Sequence, residues 1–501
     1  MPTKKFNRRE FLGSATAASL AFTIVPRHVL GGPGHVAPSD KLNLAYIGCG
    51  TQGLREMFEL IPNPKVQIVS VCDPNKLGTN YVDWSPNEIR DSIREKLGDP
   101  NWGSQFNGIP GGRDIGQEFV NKYYAKTSPN TNYKGCSSYA DFRELLEKEK
   151  GVDAVKIMTP DHLHATIAIA AMKKGKHVAT HKPIANRIYE AKLLIETAKK
   201  TGLSTHLLAY NKNPGNLVAK QMIDSGAIGK LKEIHNWSNR PVWPQWVQEP
   251  TEHPPVPEGF DWNLWLGPVP DRPYSPNYTN CVFRGWYDFG AGSIADMGHY
   301  SLFPLFMTLG INTPPISAEA YGTTTCAISN HVSDEVINTV AFPYSSCVRF
   351  KFPAQQTLPA FELFWYDGGM RPPAPDEING AALEREGMMF VGEKGKILAD
   401  YHCSNPQLIP ESAMNSYMQG KPVQKTRTEF NSDVWIDAFR NKTQSPGSFI
   451  NAGPITETIN LAAVALRAGR RVEYDSANMK ITNIPEANKF LTREYRKGWE
   501  L

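Results

Sequence analysis

The sequence has no run of about 20 apolar residues, the length that crosses a bilayer as a helix, so no stable membrane span is expected. Its formal net charge of +4 over 501 residues is too small to indicate nucleic acid or an anionic membrane as a partner. The 7 cysteines include no Cys-x-x-Cys pair, so no metal site or redox motif is expected. The remaining composition is that of an ordinary globular protein, and the length predicts two domains.

The first 38 residues differ from the rest of the chain. Lys4 and Lys5 precede a twin-arginine pattern, NRREFL, over residues 7–12, and an apolar stretch rich in Ala, Ser and Thr follows over residues 15–25. This order of features is typical of a twin-arginine export signal. We therefore predict a signal and linker over residues 1–38, a periplasmic or otherwise exported protein, and the twin-arginine export machinery as a partner.

Strand-like and helix-like segments alternate after residue 39, beginning with an apolar run at 42–47, a helical segment at 50–60 and a second apolar run at 66–72. The alternation predicts a doubly wound parallel sheet, a Rossmann domain, over residues 39–212. The polar stretch 75–135 is too long for an ordinary connection, so it is predicted as an insertion with its own helices. These helices are expected at 88–97 and 115–124.

The C-terminal part, residues 213–501, has a different sequence pattern. Its strand-like runs are separated by few helices, which predicts a second α/β domain with a large, mostly antiparallel open sheet. The runs lie at 316–320, 336–342, 347–352, 388–391 and 397–399.

A glycine-rich loop, GCGTQG over residues 48–53, directly follows the first predicted strand. Such glycines allow a tight turn and let backbone N–H groups approach a pyrophosphate at a helix N-terminus. Asp73 ends the next strand, 20 residues after Gly53, where a carboxylate can accept a hydrogen bond from the adenosine ribose. Because Asp73 would repel a 2′-phosphate, NAD is predicted and NADP is disfavoured. The loop residues expected to bind the cofactor are Gly48, Gly50, Thr51, Gln52 and Gly53.

Polar residues also follow two later strands. Thr159, Asp161 and His164 come after the run at 154–158, and His181 and Lys182 come after the run at 177–180. The carboxyl ends of parallel strands meet at one edge, where ligands bind in doubly wound folds. We therefore expect these five residues to contact the cofactor, and Lys182 is also able to bind a substrate hydroxyl or relay its proton.

The stretch GAGSIADMGHY over residues 290–300 places a carboxylate and an imidazole three residues apart. On an α-helix, Asp296 and His299 share one face. A carboxylate beside an imidazole fixes its tautomer and raises its basicity. The spacing alone leaves open whether this pair is structural or catalytic.

Taken together, these motifs resemble the family of glucose–fructose oxidoreductase, inositol dehydrogenase and MocA proteins. The resemblance runs from Leu42 to the C-terminus and includes the glycine loop, Asp73, the Lys182-Pro183 turn and the Asp-x-Gly stretch. Further matching segments are VDAVKIMTPDHLHATIAIAAMKKGKHV and SGAIGKLKEI. Three segments resemble the branch exported by the twin-arginine route: WNLWLGPVPDRPY, FRGWYDFGAGSIADMGH and NMKITNIPEANKFLTREYRKGWEL.

The resemblance implies a Rossmann domain followed by an α/β domain whose open sheet covers the active site and often forms oligomers, so a homo-oligomer is expected. It also implies a cis Lys182–Pro183 bond, with Lys182 and Asp296 as catalytic residues. Two positions depart from the family pattern. His181 replaces the glutamate before the lysine, and Tyr300 occupies the family's histidine position, one residue after His299.

The catalytic base therefore has two candidates. A histidine pKa of ~6.5 suits proton acceptance at neutral pH, whereas a tyrosine pKa of ~10 would need a large depression. We therefore expect His299 to be the base, oriented by Asp296 and facing Lys182 across the cofactor. Tyr300 is the alternative, favoured by the ungapped family register. The residues expected to contact the substrate are Arg240, Arg284, Trp286 and Tyr300.

These features predict an exported NAD-dependent oxidoreductase that transfers hydride between NAD and a hydroxyl carbon of a sugar, glycoside or cyclitol. Free NAD is scarce outside the cytoplasm, so the cofactor should be loaded before export and held with a dissociation constant of roughly 10⁻⁹–10⁻¹¹ M. A retained cofactor must be regenerated in place. A redox-neutral reaction does this by oxidising and then re-reducing its substrate, so a glycosidase, lyase or epimerase is an alternative function. The alternative of another class is a non-catalytic sugar-sensing or sugar-binding protein.

Overall fold

The computed structural model describes residues 40–128, 133–419 and 426–501. The predicted twin-arginine signal over residues 1–38 lies outside these ranges. Among the described residues, no helix is both long enough and apolar enough to cross a membrane. The same ranges contain no group of three or more His, Cys, Asp or Glu side chains arranged to hold a metal ion.

The first sheet is a six-stranded parallel sheet with the strand order β3-β2-β1-β4-β5-β6, the doubly wound order of a Rossmann fold. This confirms the predicted fold class. The strands are β1 (Leu42–Ile47), β2 (Val66–Cys72), β3 (Ser137–Tyr139), β4 (Ala154–Ile157), β5 (His177–Thr180) and β6 (Thr205–Leu207). The helices between them are α1 (Thr51–Leu60), α2 (Glu88–Leu97), α3 (Arg113–Thr127), α4 (Phe142–Lys148), α5 (Asp161–Lys173) and α6 (Ile188–Thr201).

The parallel register brings the carboxyl ends of the central strands together. Ile47 at the end of β1 pairs with both Cys72 of β2 and Ile157 of β4, and Ile157 in turn pairs with Thr180 of β5. The loops that follow these residues therefore emerge side by side. They carry the glycine loop, Asp73, Thr159 and the His181-Lys182 pair.

The insertion between β2 and β3 contains α2 and α3, close to the predicted helices. Helix α2 has Glu88 and Asp91 in its first turn and Arg94 in its last, so its charges oppose the helix dipole at both ends. It ends at Gly98, whose φ of 67° places it in the left-handed conformation that closes many helices. These helices pack the insertion against the rest of the domain. The loop before them, residues 75–84, lies over the edge formed by the carboxyl ends of the parallel strands.

The second sheet has nine strands in the order β15-β14-β13-β7-β12-β11-β8-β16-β17. Only the neighbours β7 and β12 run parallel within it, so the sheet is mostly antiparallel, as predicted. Its strands are β7 (Leu231–Trp237), β8 (Ser317–Gly322), β11 (Ser346–Phe352), β12 (Phe361–Tyr366), β13 (Gly387–Gly392), β14 (Lys396–Ala399), β15 (Gln407–Ile409), β16 (Val472–Asp475) and β17 (Lys480–Ile481). The accompanying helices are α7 (Pro214–Asp224), α8 (Trp262–Leu266), α9 (His299–Leu309), α10 (Glu411–Met418), α11 (Asp433–Arg440) and α12 (Gly453–Ala468).

A separate hairpin, β9 (Thr325–Ser329) and β10 (Val332–Val336), projects from this region. The strand predicted at 336–342 is wrong, because the pairing segment lies earlier and ends at Val336. The chain after it is irregular and makes only an isolated bridge between Ala341 and Trp286. The apolar residues of that run pack against a local cluster of aromatic rings, which explains their hydrophobicity without a strand.

The two sheets share one continuous hydrophobic core. The same buried cluster contains Val155 of β4, Leu194 of α6, Leu305 of α9, Phe350 of β11 and Ile459 of α12. Each such side chain contributes about 1.5–3 kcal/mol by leaving water. The core therefore holds α9 against side chains of both sheets.

Candidate active site

The glycine loop forms the floor of a cleft at the carboxyl edge of the parallel sheet. Gly48 has a φ of 101°, and a methyl group there would lie 2.6 Å from backbone atoms of Met158. A methyl group at Gly53 would collide with the Gly48 carbonyl. Only glycine therefore fits at these positions, and the tight turn opens the N-terminus of α1 toward the cleft. This cradle fits a dinucleotide pyrophosphate.

Asp73 lies at the edge of the same cleft and is held rigidly. Its carboxylate accepts hydrogen bonds from the backbone N–H groups of Cys49 at 2.7 Å and Asn75 at 2.8 Å. Burial raises the pKa of Asp73 to about 6, despite these two bonds. The carboxylate therefore stands beside the pyrophosphate cradle, where it fits the adenosine ribose.

The loop 75–84 covers the cofactor groove, a role that the sequence interpretation missed. A methyl group at Gly50 would lie 3.2 Å from the Tyr81 ring. Thr51 Oγ1 donates to the Val82 carbonyl at 3.0 Å, and Arg55 of α1 pairs with Asp83. The signal available in the sequence was the loop's position directly after the carboxyl end of β2.

An ion-pair network forms the opposite end of the cleft. The Lys182 ammonium lies 3.1 Å from Oδ1 of Asp296, and Arg284 Nε lies 3.2 Å from the same oxygen. Burial opposes the charge of Lys182, but the charge and hydrogen bond of Asp296, together with Tyr300, raise the pKa of the lysine. Burial likewise opposes the charge of Asp296, but Lys182 and Arg284 lower its pKa. Both groups are therefore charged at neutral pH. The Lys182–Pro183 bond is cis, as the resemblance implied.

Tyr300 faces this network. The Lys182 nitrogen lies 4.9 Å from the centre of the Tyr300 ring, and the phenol oxygen lies 3.3 Å from His181 Nε2. The residue lies in the first turn of the apolar helix α9, whose core side chains hold it in place. Burial raises the pKa of Tyr300, and the nearby Lys182 charge opposes this shift.

Comparison with known proteins agrees with this geometry. A family model described as the NAD-binding Rossmann fold of the Gfo/Idh/MocA oxidoreductases matches residues 117–208. The model of the same family's C-terminal alpha/beta domain matches residues 218–331 and 377–501, so the two models together span more than half of the chain. The chain belongs to the Gfo/Idh/MocA oxidoreductase family. NAD is accordingly the family cofactor, as predicted.

Curated relatives match shorter parts of this family member. A levoglucosan dehydrogenase from Pseudarthrobacter phenanthrenivorans is 35% identical over 22% of this chain and 29% of its own length. A scyllo-inositol 2-dehydrogenase (NAD(+)) from Bacillus subtilis is 36% identical over 17% of this chain and 25% of its own. A glycosyl hydrolase family 109 protein from Stenotrophomonas maltophilia is 28% identical over 45% of this chain and 41% of its own. The chain therefore matches less than half the length of each of these relatives.

Among solved structures, a WlbA dehydrogenase from Chromobacterium violaceum in complex with NADH and UDP-GlcNAcA has a similar fold. The TM-score is 0.51 at 16% identity, covering 87% of this chain and 96% of that one. At this level of identity the similarity concerns the fold alone.

The position predicted for His299 is wrong. Its ring is fully buried, Nδ1 donates to the Ala295 carbonyl at 2.9 Å, and Nε2 has no hydrogen-bond partner among the described residues. It does not line the cleft, whereas Asp296 and Tyr300 do. Burial also lowers the pKa of His299 to about 4. Asp296 therefore does not orient this imidazole and instead binds Lys182 and Arg284.

The reason is a π-helical segment, Ile294–Gly298, directly before α9. A π turn closes with an i→i+5 hydrogen bond, one residue more than an α turn. The residue that shares a face with Asp296 therefore moves from His299 toward Tyr300. The prediction failed because it assumed an α-helical period, while the ungapped family register had pointed to Tyr300.

Three other predicted contacts lie behind the cleft and support it. Asp161 accepts a hydrogen bond from Ala291 N at 3.1 Å, and burial raises its pKa to about 7. The His164 ring bridges the Pro183 carbonyl at 2.6 Å and the Thr159 carbonyl at 2.8 Å. Trp286 donates to the Asn277 carbonyl at 2.7 Å. These contacts tie together the loops that carry the network. Asp161, His164 and Trp286 do not line the cleft, so the prediction that they contact the cofactor or the substrate is wrong.

The remaining predicted residues do line the cleft. The predicted cofactor residues among them are Gly48, Gly50, Thr51, Gln52, Gly53, Asp73, Thr159, His181 and Lys182. Of the predicted substrate residues, Arg240, Arg284 and Tyr300 line it. The Arg240 guanidinium lies 5.6 Å from the centre of the Trp84 ring, so the cover loop and the C-terminal region meet above the cleft. Trp243 also lines this part of the cleft.

Proposed function

We propose that this protein is an NAD-dependent dehydrogenase that oxidises a hydroxyl-bearing carbon of a sugar, glycoside or cyclitol. The observation that carries the proposal is the meeting, in one cleft, of a dinucleotide cradle with the network of Lys182, Asp296, Arg284 and Tyr300. The dehydrogenases of levoglucosan and scyllo-inositol among the relatives support this substrate class.

The chain's own residues divide the work between cofactor and substrate. The glycine loop would hold the pyrophosphate of NAD, and Asp73 would hold its ribose. Bound NAD⁺ supplies a hydride acceptor. The Lys182 ammonium, kept charged by Asp296, would donate to the substrate oxygen and stabilise negative charge as it develops there. Tyr300, rather than His299, is the group placed to receive the hydroxyl proton.

Tight retention of NAD is part of the same proposal. The cover loop supports it, because Tyr81, Val82 and Trp84 line the cleft above the glycine loop. Asn280 Nδ2 also donates to the Asn80 carbonyl at 3.1 Å, which joins the loop to the C-terminal region. Cofactor release would require these contacts to open.

The experiment is to incubate the protein as purified with a panel of sugars, glycosides and cyclitols. Absorbance at 340 nm reports reduction of bound NAD, and mass spectrometry reports products. Reduction with at least one panel member is expected. Binding of sugars without any reduction or product would instead favour a non-catalytic sugar-binding protein.

A second candidate is a redox-neutral glycosidase, lyase or epimerase that oxidises and re-reduces its substrate on retained NAD. The similarity to a glycosyl hydrolase family 109 protein over 45% of this chain favours it. In the same panel this activity would release a free sugar, or an isomer, without net accumulation of NADH.

We also propose export by the twin-arginine route and assembly of a homo-oligomer through the open face of the second sheet. The twin-arginine pattern over residues 7–12 supports export. Periplasmic accumulation of the full chain should be lost in an Arg8→Lys, Arg9→Lys variant. Light scattering of the purified protein should give a mass above the 55.8 kDa of one chain.

A further inference from the structure

Two polar residues next to Tyr300 have no role in the mechanism above. The His181 ring is buried, and its Nε2 atom lies 3.3 Å from the Tyr300 phenol oxygen. The same nitrogen lies 3.5 Å from Oε1 of Glu56, a residue of α1. The Glu56 side chain is 22% exposed. Three groups therefore lead from the centre of the cleft to solvent.

Glu56 is held in place from its other side. Its Oε2 atom lies 2.7 Å from the ammonium of Lys156, a buried residue of β4. Gln52 Nε2 donates to Oε1 at 3.3 Å. A buried ammonium requires a nearby counter-charge, so the position of Lys156 explains why Glu56 is fixed beside His181.

Tyr300 presents a difficulty as a simple base. Because burial raises its pKa, the phenol keeps its proton near neutral pH. It can accept a second proton only while it releases its own. The atom positioned to take that proton is His181 Nε2.

We propose that Tyr300, His181 and Glu56 form a proton relay that carries the substrate's hydroxyl proton out of the cleft. This inference rests on the proposed dehydrogenase function. The substrate O–H bond breaks as a new O–H bond forms on Tyr300, and the original Tyr300 proton moves to His181 Nε2. That proton then passes to the Glu56 carboxylate and on to water. The electron pair of the O–H bond stays on the substrate and forms the second bond of the C=O group, while the C–H bond breaks and its pair leaves as hydride to bound NAD⁺. Only a proton therefore travels along the relay, and Tyr300 need not ionise.

The charges around His181 favour onward transfer. Burial lowers the pKa of His181 well below its usual value, and neighbouring positive groups lower it further. Glu56 is the carboxylate in contact with the ring. An imidazolium here would therefore pass its proton on rather than keep it. The charged and titratable groups that face the ring are Lys182, Arg284, His164, Lys156, Glu56 and Tyr300.

Glu56→Gln separates a relay from a simple electrostatic effect. The Glu56 charge raises the pKa of Tyr300, so removing it would help Tyr300 to ionise and would preserve or increase the rate. A relay predicts the opposite, a loss of about tenfold in single-turnover reduction of bound NAD at pH 7, recovering as the pH rises. The control is Glu59→Gln, which is exposed on the same helix and should match the unmutated protein.

His181→Ala provides a second test if Glu56→Gln folds poorly. Added imidazole should restore its rate in proportion to the neutral base, and should not restore Tyr300→Phe. An unchanged or faster Glu56→Gln rate, or no imidazole rescue, would overturn the relay while leaving the dehydrogenase function intact. Failure of the unmutated protein to reduce NAD with any panel member would overturn both.

Discussion

The two sides of the cleft are built in different ways. On the Rossmann side, the groups follow the ends of hydrogen-bonded strands, so the register of the sheet sets their positions. On the C-terminal side, Arg284, Asp296 and Tyr300 stand on a 3₁₀ segment, a π segment and the first turn of α9. There, side-chain packing and ion pairs set the positions instead.

This difference separates the residues expected to bind the cofactor from the residues expected to act on the substrate. The rigid strand ends suit a cofactor that every turnover uses, whereas the irregular segments carry the groups that face a particular substrate. Across the cleft, the two sides meet in the ion pair between Lys182 after β5 and Asp296 on the π segment. Mutations on either side, and at the junction, should therefore have separable effects.

Breaking the junction should have the largest effect. Lys182→Met removes the ammonium that pairs with Asp296 across the cleft, so the charge proposed to develop on the substrate oxygen loses its donor. We expect single-turnover reduction of NAD to fall roughly 10³-fold, with NAD affinity nearly unchanged. Stopped-flow absorbance at 340 nm measures the rate, and Lys200→Met, exposed on α6, is the control. A loss below tenfold would remove Lys182 from the chemistry.

The next effect tests the C-terminal side alone. Tyr300→Phe should lower the same rate roughly 10²-fold, the usual value of a positioned proton acceptor. His299→Leu should stay within tenfold of the unmutated rate, since its ring faces the core. Circular dichroism should confirm that both variants are folded. The reverse pattern would restore His299 as the base.

The third effect tests the Rossmann side alone. Asp73→Asn should weaken NAD binding roughly 10- to 100-fold, as expected for a hydrogen bond to a charged group, and should narrow the preference over NADP. Isothermal titration of cofactor-free protein measures both affinities. Equal affinity of the unmutated protein for NAD and NADP would refute the role of Asp73.

Asp73 should also make the affinity for NAD depend on pH. Its pKa is raised to about 6, so the carboxylate proposed to accept the ribose hydrogen bond becomes protonated as the pH falls through 6. NAD affinity should therefore drop roughly tenfold between pH 7.5 and 5. In Asp73→Asn this drop should be absent, which separates it from other titrations.

The smallest effect concerns the cover over both sides. Trp84→Ala removes the ring that meets Arg240, a contact that contributes about 0.5–1 kcal/mol at an exposed site. Dissociation of NAD should therefore be about threefold faster, measured by trapping released cofactor. Tyr321→Ala, exposed on the second sheet, should leave the rate unchanged.

The same division explains what the sequence could predict. The parallel sheet, the glycine loop, Asp73 and Lys182 follow from short apolar runs and from the rule that strand ends meet at one edge. The orientation of His299 could not be predicted, because a π turn leaves no periodic pattern in five residues. The sequence also could not show that Tyr81 and Trp84 cover the cleft. Their positions depend on contacts with α1 and with the C-terminal region, which lie elsewhere in the chain. Trp286 was misplaced because aromatic residues pack in interiors as readily as they stack on sugars.

The core shared by the two sheets has a consequence for heat stability. Neither sheet can lose its packing without exposing apolar side chains of the other, so the described part of the chain should melt in one cooperative transition. A ligand that binds only the folded state adds RT ln(1 + [L]/Kd) to the free energy of unfolding. Removing the cofactor should therefore lower the temperature at which both sheets come apart together.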